Sequence, residues 1–230
     1  MSNLPVVFVP GLCVTGAIYA HQAAHLSRTR AVMLANHWRA ATMGEIADQI
    51  LAEAPETFAL AGTSMGGYVA FEIVRRAPER VDRLALISTS ARPDTPERSA
   101  IRRQQVAAAR QNFRAGIAAF LPVLVHPARR EDQPIIQSFH DMADEVGIEG
   151  FARQIEAIIG RADSRPTLAT IQCPTLVIVG ADDMLIPPEH GHEIADGVAG
   201  AQLQMIPHCG HMCPMEMPET VTRLLAAFVN

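Results

Sequence analysis

The feature that most constrains this chain is a set of strand-length apolar runs, most of them without a polar residue. They are Val6-Val7-Phe8-Val9, Ala31-Val32-Met33-Leu34, Phe58-Ala59-Leu60-Ala61, Leu84-Ala85-Leu86-Ile87, Thr175-Leu176-Val177-Ile178-Val179 and Leu203-Gln204-Met205-Ile206. A strand with one face in water alternates apolar and polar residues, so runs that are apolar throughout belong to a sheet covered on both faces, as parallel sheets are. Helical periodicity fills the gaps between them. Thr42-Met43-Gly44-Glu45, for example, reads as a capping box opening a helix over Ile46 to Ala54. The alternation predicts an α/β fold, a doubly wound, mostly parallel sheet of about six strands. A chain of 230 residues, 49% of them hydrophobic, is long enough to bury a sizeable core around such a sheet.

The alternation stops between about Pro93 and Pro166. No strand pattern occurs there, and apolar residues recur at helical spacing: Ile101, Val106, Ala109 and Phe113, then Ile117, Phe120, Leu121 and Leu124, then Ile136, Phe139 and Met142. The segment reads as three or more amphipathic helices inserted into the sheet domain, so that residues 1–92 and 166–230 form the core and 93–165 a helical insertion. A separate helical domain is the alternative.

Composition removes several function classes. All 19 basic residues are arginine, which excludes lysine Schiff bases, lysine-linked pyridoxal and a Walker A loop. The net charge of -5, without runs of like charge, argues against nucleic acid as a partner. The start, Met1-Ser2-Asn3-Leu4-Pro5, lacks a basic n-region and no apolar stretch is long enough to span a bilayer, so a cytoplasmic address is expected. Four cysteines, Cys13, Cys173, Cys209 and Cys213, are too few for a disulfide scaffold and read as free thiols.

The chemistry is concentrated in three loops that each follow a predicted strand. Gly62-Thr63-Ser64-Met65-Gly66-Gly67 stands between the run ending at Ala61 and the helical pattern Tyr68 to Arg76. In such a sharp turn a serine hydroxyl is thrust outward, and the flanking glycines let helix and strand approach. A serine hydroxyl is a weak nucleophile at neutral pH and needs a base oriented by a carboxylate. The loop after Val179 offers Asp182 and Asp183; the loop after Ile206 offers His208 and His211. These loops meet at the carboxyl ends of a parallel sheet, where open α/β proteins place their sites. Cys209, His211 and Cys213 also form a C-x-H-x-C cluster, but a zinc there would consume the base and no fourth ligand is evident. No metal and no cofactor is therefore expected.

Taken together, these segments resemble the α/β-hydrolase fold, in its serine hydrolase branch with a helical cap. Pro10-Gly11-Leu12 looks like the family's oxyanion loop and Gly62 to Gly67 like its nucleophile elbow. Gly180-x-x-Asp183-x-x-x-Pro187 looks like its acid loop, and Gly210-His211 with Glu216-x-Pro218-Glu219 like its histidine segment. The resemblance implies Ser64 as nucleophile, His211 as base and Asp183 as acid, with backbone N–H groups of Leu12 and Met65 forming the oxyanion hole. The spacing of Gly180 and Pro187 selects Asp183 over Asp182, and Gly210 selects His211 over His208. The histidine that commonly precedes the glycine of the oxyanion loop is replaced by Pro10, and Asn36-His37-Trp38-Arg39 stands where many relatives have a longer arginine- and glycine-rich loop.

The activity implied is hydrolysis of carboxylic esters through an acyl-enzyme, on small or medium apolar acyl substrates, with a C–C bond hydrolase, a cofactor-free perhydrolase and a non-enzymatic ligand receptor as alternatives. Tyr19, Phe120, Ile186 and Met212 are the expected pocket residues. The partner is a small-molecule ester or related acyl compound, and an apolar helix of the insertion offers a surface for a homodimer. Arg39, Arg92, Arg129 and Arg130 are the arginines weighed as carboxylate binders, none of them fixed by a motif.

Overall fold

A computed structural model describes residues 3–230; Met1 and Ser2, the beginning of the stretch read for a targeting signal, lie outside the described residues. The chain runs β1 (Val6–Val9), α1 (Ala20–Leu26), β2 (Val32–Leu34), α2 (Met43–Glu53), β3 (Phe58–Thr63), α3 (Met65–Arg76) and β4 (Val81–Ile87). Five helices follow without a strand: α4 (Pro96–Gln111), α5 (Phe113–Ala118), α6 (Leu121–Leu124), α7 (Gln133–Ile159) and α8 (Arg165–Leu168). Then come β5 (Thr175–Gly180), α9 (Glu189–Gly197), β6 (Gln202–Ile206), α10 (Cys213–Glu216) and α11 (Pro218–Phe228).

The six strands form one sheet in the order β2-β1-β3-β4-β5-β6, with every neighbouring pair parallel. Each expected run is a strand. The central ones are buried over their whole length in β1, β3 and β5, and alternate side chains enter opposite layers. Val6 and Phe8, Ala59 and Ala61, and Leu176 and Ile178 face the layer containing α1, α11 and much of the helical segment. Val7 and Val9, Phe58 and Leu60, and Val177 and Val179 face α2, α3 and α9. The edge strands β2 and β6 are only partly covered, which explains Gln202 and Gln204 in the last strand.

Local signals set the helix starts. Thr42 caps α2 by accepting the Glu45 N–H at 3.2 Å and donating to the Glu45 carboxylate at 2.9 Å, so the helix begins at Met43, three residues before the expected start. Thr95 likewise caps α4, and Asn112 caps α5. The long α7 breaks at Gly147, where φ is +67°, a value that favours glycine. Ile101, expected on the buried face of α4, is 53% exposed, and Ile135 is buried where Ile136 was expected. Among the described residues no helix is long and apolar enough to cross a membrane.

Candidate active site

Strand order reverses direction between β1 and β3, and the crevice at such a switch point, beyond the strands' carboxyl ends, is where open α/β sheets bind ligands. Here the loop after β1 carries Gly11-Leu12-Cys13 and the turn after β3 carries Ser64. Both line one cavity, part of it open to solvent, together with His211 and Met212 from the loop after β6.

Ser64 sits at φ +55° and ψ -115°, a left-handed conformation that costs about 1–3 kcal/mol for a non-glycine residue and persists only where its surroundings enforce it. They do so through three bonds. The Ser64 N–H donates to the Ile87 carbonyl at 2.9 Å, while the Ser64 carbonyl accepts from Gly67 N–H at 2.9 Å and from the Thr89 hydroxyl at 2.8 Å. A Cβ on Gly66 would overlap the Val9 and Pro10 carbonyl oxygens, so only glycine lets α3 begin this close to the first loop. The strained turn leaves the hydroxyl half-buried on the cavity wall, with no hydrogen-bond partner among the described residues.

Asp183 and His211, distant in sequence, are joined. His211 Nδ1 lies 2.7 Å from Asp183 Oδ2, and both residues are 4% exposed. A carboxylate only accepts, so Nδ1 carries the proton and Nε2 keeps a free lone pair. The other Asp183 oxygen accepts the N–H groups of Leu185 and Ile186, each at 2.9 Å, which leaves the carboxylate one orientation. Gly180 has no room for a Cβ because the Cys209 and Gly210 carbonyls press against it, bringing the acid loop onto the histidine loop.

The histidine loop is itself clamped by a residue that sequence reasoning placed only within a motif. The buried Glu216 carboxylate accepts three backbone N–H groups: Gly210 at 3.1 Å, Met212 at 3.0 Å and His126 at 2.7 Å. It thus brackets His211 on both sides and ties in the helical segment. Burial pushes its carboxyl up from the usual carboxylate range, while the three donors act against that shift. Cys209 and Cys213 are free and buried, and both thiols donate to the Gly210 carbonyl. The neighbouring Cys213 thiol and then burial raise the Cys209 thiol, and burial pushes Cys13 up to about 12.

The rival candidates meet elsewhere. Asp182 and His208 are exposed and lie with His126, whose Nε2 is 3.7 Å from Asp182 Oδ2. A shift of one residue on the acid loop and of three on the histidine loop separates this surface group from the buried pair.

Of the two expected oxyanion donors, Leu12 lines the cavity, while Met65, next to Ser64 in sequence, is fully buried and is not among the lining residues. Met65 is the first residue of α3, so its N–H has no intrahelical acceptor, and the Leu12 N–H has no hydrogen-bond partner among the described residues. A network absent from the sequence reading holds the Leu12 loop. His37 Nε2 donates to the Gly11 carbonyl at 2.8 Å, and Cys13 N–H donates to Gln154 Oε1, on α7, at 2.9 Å. His37 and Gln154 are fully buried, and burial holds His37 down at about 4, hence neutral.

Of the expected pocket residues, Phe120, Ile186 and Met212 line the cavity, and Tyr19 does not. Tyr19 is 0% exposed because its hydroxyl is satisfied inside the core, donating to the Val9 carbonyl at 3.1 Å and hydrogen-bonded with the Thr63 hydroxyl at 2.6 Å; its neighbour Ile18 reaches the cavity instead. Two arginines not weighed from sequence, Arg98 and Arg102 of α4, also line it, whereas Arg39, Arg92, Arg129 and Arg130 do not. Nothing in α4 marked them, since an arginine in a helix is by default a solvated one.

Comparison with known proteins matches this architecture. The model of the alpha/beta hydrolase family matches residues 6–224. A thermophilic esterase from Thermogutta terrifontis is 31% identical and superposes with a TM-score of 0.90, over 98% of this chain and 89% of that one. The enol-lactonase from Burkholderia xenovorans LB400 is 25% identical, with a TM-score of 0.89 over 98% and 91% of the two chains. A Klebsiella pneumoniae protein provisionally named carbamate hydrolase RutD is 28% identical over 80% of this chain and 71% of its own length. Sheet order, loop placement and a family match spanning all six strands converge on one conclusion: the chain belongs to the alpha/beta hydrolase family.

Proposed function

We propose that the protein is a serine hydrolase of carboxylic esters, acting through Ser64, His211 and Asp183, with the helical segment 93–165 as a cap over the acyl pocket. One observation carries the reading: a buried Asp183–His211 pair, 2.7 Å apart, whose imidazole shares a single cavity with the strained Ser64. In this mechanism His211 Nε2 takes the Ser64 proton as Oγ attacks the acyl carbon, and the leaving alcohol takes that proton as the acyl-enzyme forms. Water then repeats the cycle and releases the acid. Asp183 keeps the imidazole in its productive tautomer and stabilises the imidazolium. The N–H groups of Leu12 and Met65 receive the oxyanion, a type of contact whose loss costs about 3–4 kcal/mol of transition-state stabilisation. Apolar walls from Phe120, Leu124, Phe139 and Phe151 suit an acyl chain of small or medium length.

Hydrolysis of p-nitrophenyl esters of increasing acyl length tests the reading, with Ser64→Ala alongside. Turnover that disappears in Ser64→Ala is expected, together with covalent labelling of the wild type by a fluorophosphonate. Ester turnover that survives in Ser64→Ala would refute the assignment of the nucleophile.

A further inference from the structure

The cavity that contains Ser64 and His211 has an uneven charge distribution. Its lining includes no aspartate and no glutamate, and its charged side chains other than His211 are Arg98 and Arg102, two residues one helical turn apart on α4. An apolar acyl pocket gains nothing from guanidinium groups: Arg102 is partly buried, where a guanidinium is costly without an anion, and Arg98 is exposed beside it. The surroundings do not supply enough anions. Asp94, whose side chain is fully buried, accepts from Arg102 and pairs with Arg161 at 2.9 Å, so one carboxylate is shared by two guanidinium groups. Burial works to raise Asp94, yet the two arginines hold it below the usual carboxylate range, and it stays ionised. Arg98 has no ion-pair partner among the described residues.

This corner also lies near the nucleophile. Arg161 stacks over the Tyr68 ring at 4.3 Å, and Tyr68, one turn of α3 after Ser64, lines the same cavity. Arg102 directs Nε and Nη2 toward Asp94, which leaves N–H groups of its five-donor fork unused. A planar carboxylate is the complement of such forks.

We propose that the substrate carries, besides its ester or lactone bond, a free carboxylate held at the α4 wall of the pocket by Arg98 and Arg102. The proposal rests on the ester-hydrolase reading and specifies its substrate class: acyl groups that end in an anion, such as half-esters of short dicarboxylic acids. Arg102 is fixed by Asp94 and acts as the preformed half of the site, and Arg98, at the rim, closes on the anion.

The test compares kcat/KM for monomethyl and dimethyl succinate, glutarate and adipate, which differ only in whether the far end is charged. At the chain length that spans from Ser64 to α4, the monomethyl ester is expected to be preferred by about tenfold or more, the scale of one charge-assisted contact. Arg98→Gln lowers that ratio by about the same factor, Arg98→Lys restores part of it, and Arg103→Gln, on the same helix but outside the cavity lining, leaves it unchanged. Equal or faster hydrolysis of the dimethyl esters at every length, or a ratio that Arg98→Gln does not move, overturns the anion site and leaves the esterase reading standing. If no ester is turned over with dependence on Ser64, the esterase reading falls instead. The anion site is then decided by calorimetry with the free diacids: binding that Arg98→Gln abolishes supports it, and no binding overturns it.

Discussion

Bonds tie down Ser64 and His211 but leave the Ser64 hydroxyl and His211 Nε2 unengaged, whereas Asp183 has both carboxylate oxygens bonded. The Ser64 backbone is held at three points while its hydroxyl projects into the cavity. One Asp183 oxygen takes two N–H groups and the other takes the imidazole, and His211 spends Nδ1 so that Nε2 remains a base. A partner that only accepts dictates the tautomer, so amidation of the acid reverses it. Asp183→Asn is expected to lower kcat by about a thousandfold or more, whereas Asp182→Asn, which alters an exposed contact with His126, changes it by less than about threefold. Steady-state kinetics on one activated ester reads both variants, and equal losses would void the assignment of the acid. At this scale the sequence was informative because the elbow and the two loops are local patterns. It could not show that Tyr19 turns into the core, since the hydroxyl's partners at Val9 and Thr63 lie on two other segments.

Helix α7 reaches the first loop through a side-chain hydrogen bond. Gln154 accepts the Cys13 N–H, and Cys13 itself is at φ +58°, so the amide acts on a strained residue next to Leu12. Arg153 donates to the Trp38 carbonyl at 3.0 Å, which binds the loop after β2 to the same helix. In the proposed mechanism these bonds set the direction of the Leu12 N–H. Gln154→Leu would leave a buried N–H unsatisfied, a cost of about 1–3 kcal/mol. It is expected to lower kcat by about tenfold or more with a smaller effect on KM, read from kinetics on p-nitrophenyl esters with a melting curve as control. A loss confined to KM would mean that Gln154 shapes the pocket instead of the loop. Neither His37 nor Gln154 announced itself, because each bonds across more than a hundred residues or to a backbone atom, and neither belongs to a spaced motif.

For the whole molecule, the buried neutral His37 couples stability to pH. Its folded value of about 4 lies below the ordinary histidine value of 6.5, so between those values the unfolded chain binds a proton that the native one resists. Stability from this group is therefore complete above about pH 6.5 and is lost as pH falls through the folded value, up to about 3 kcal/mol. Glu216, with its carboxyl raised, contributes in the opposite sense, favouring the fold at low pH and losing that contribution as pH rises. Chemical denaturation at stepped pH isolates the histidine: the slope of unfolding free energy between pH 6.5 and 4 should be shallower in His37→Gln than in the wild type. Parallel slopes would show that His37 gains solvent or a partner on protonation.

The amino-acid sequence by itself determined the parallel sheet, its strand count, the helical break after β4 and the order of the three loops. Each of these follows from apolar periodicity, from glycine placement or from the reach of a short motif, all properties of neighbouring residues. Tertiary structure decided that Asp183 and His211, which motif spacing already favoured, are buried against each other while Asp182 and His208 are exposed. It also decided what holds the loops, Glu216, His37 and Gln154, and which arginines of a lysine-free chain enter the cavity. Those outcomes depend on desolvation and on contacts between segments far apart in sequence, and no local pattern encodes either.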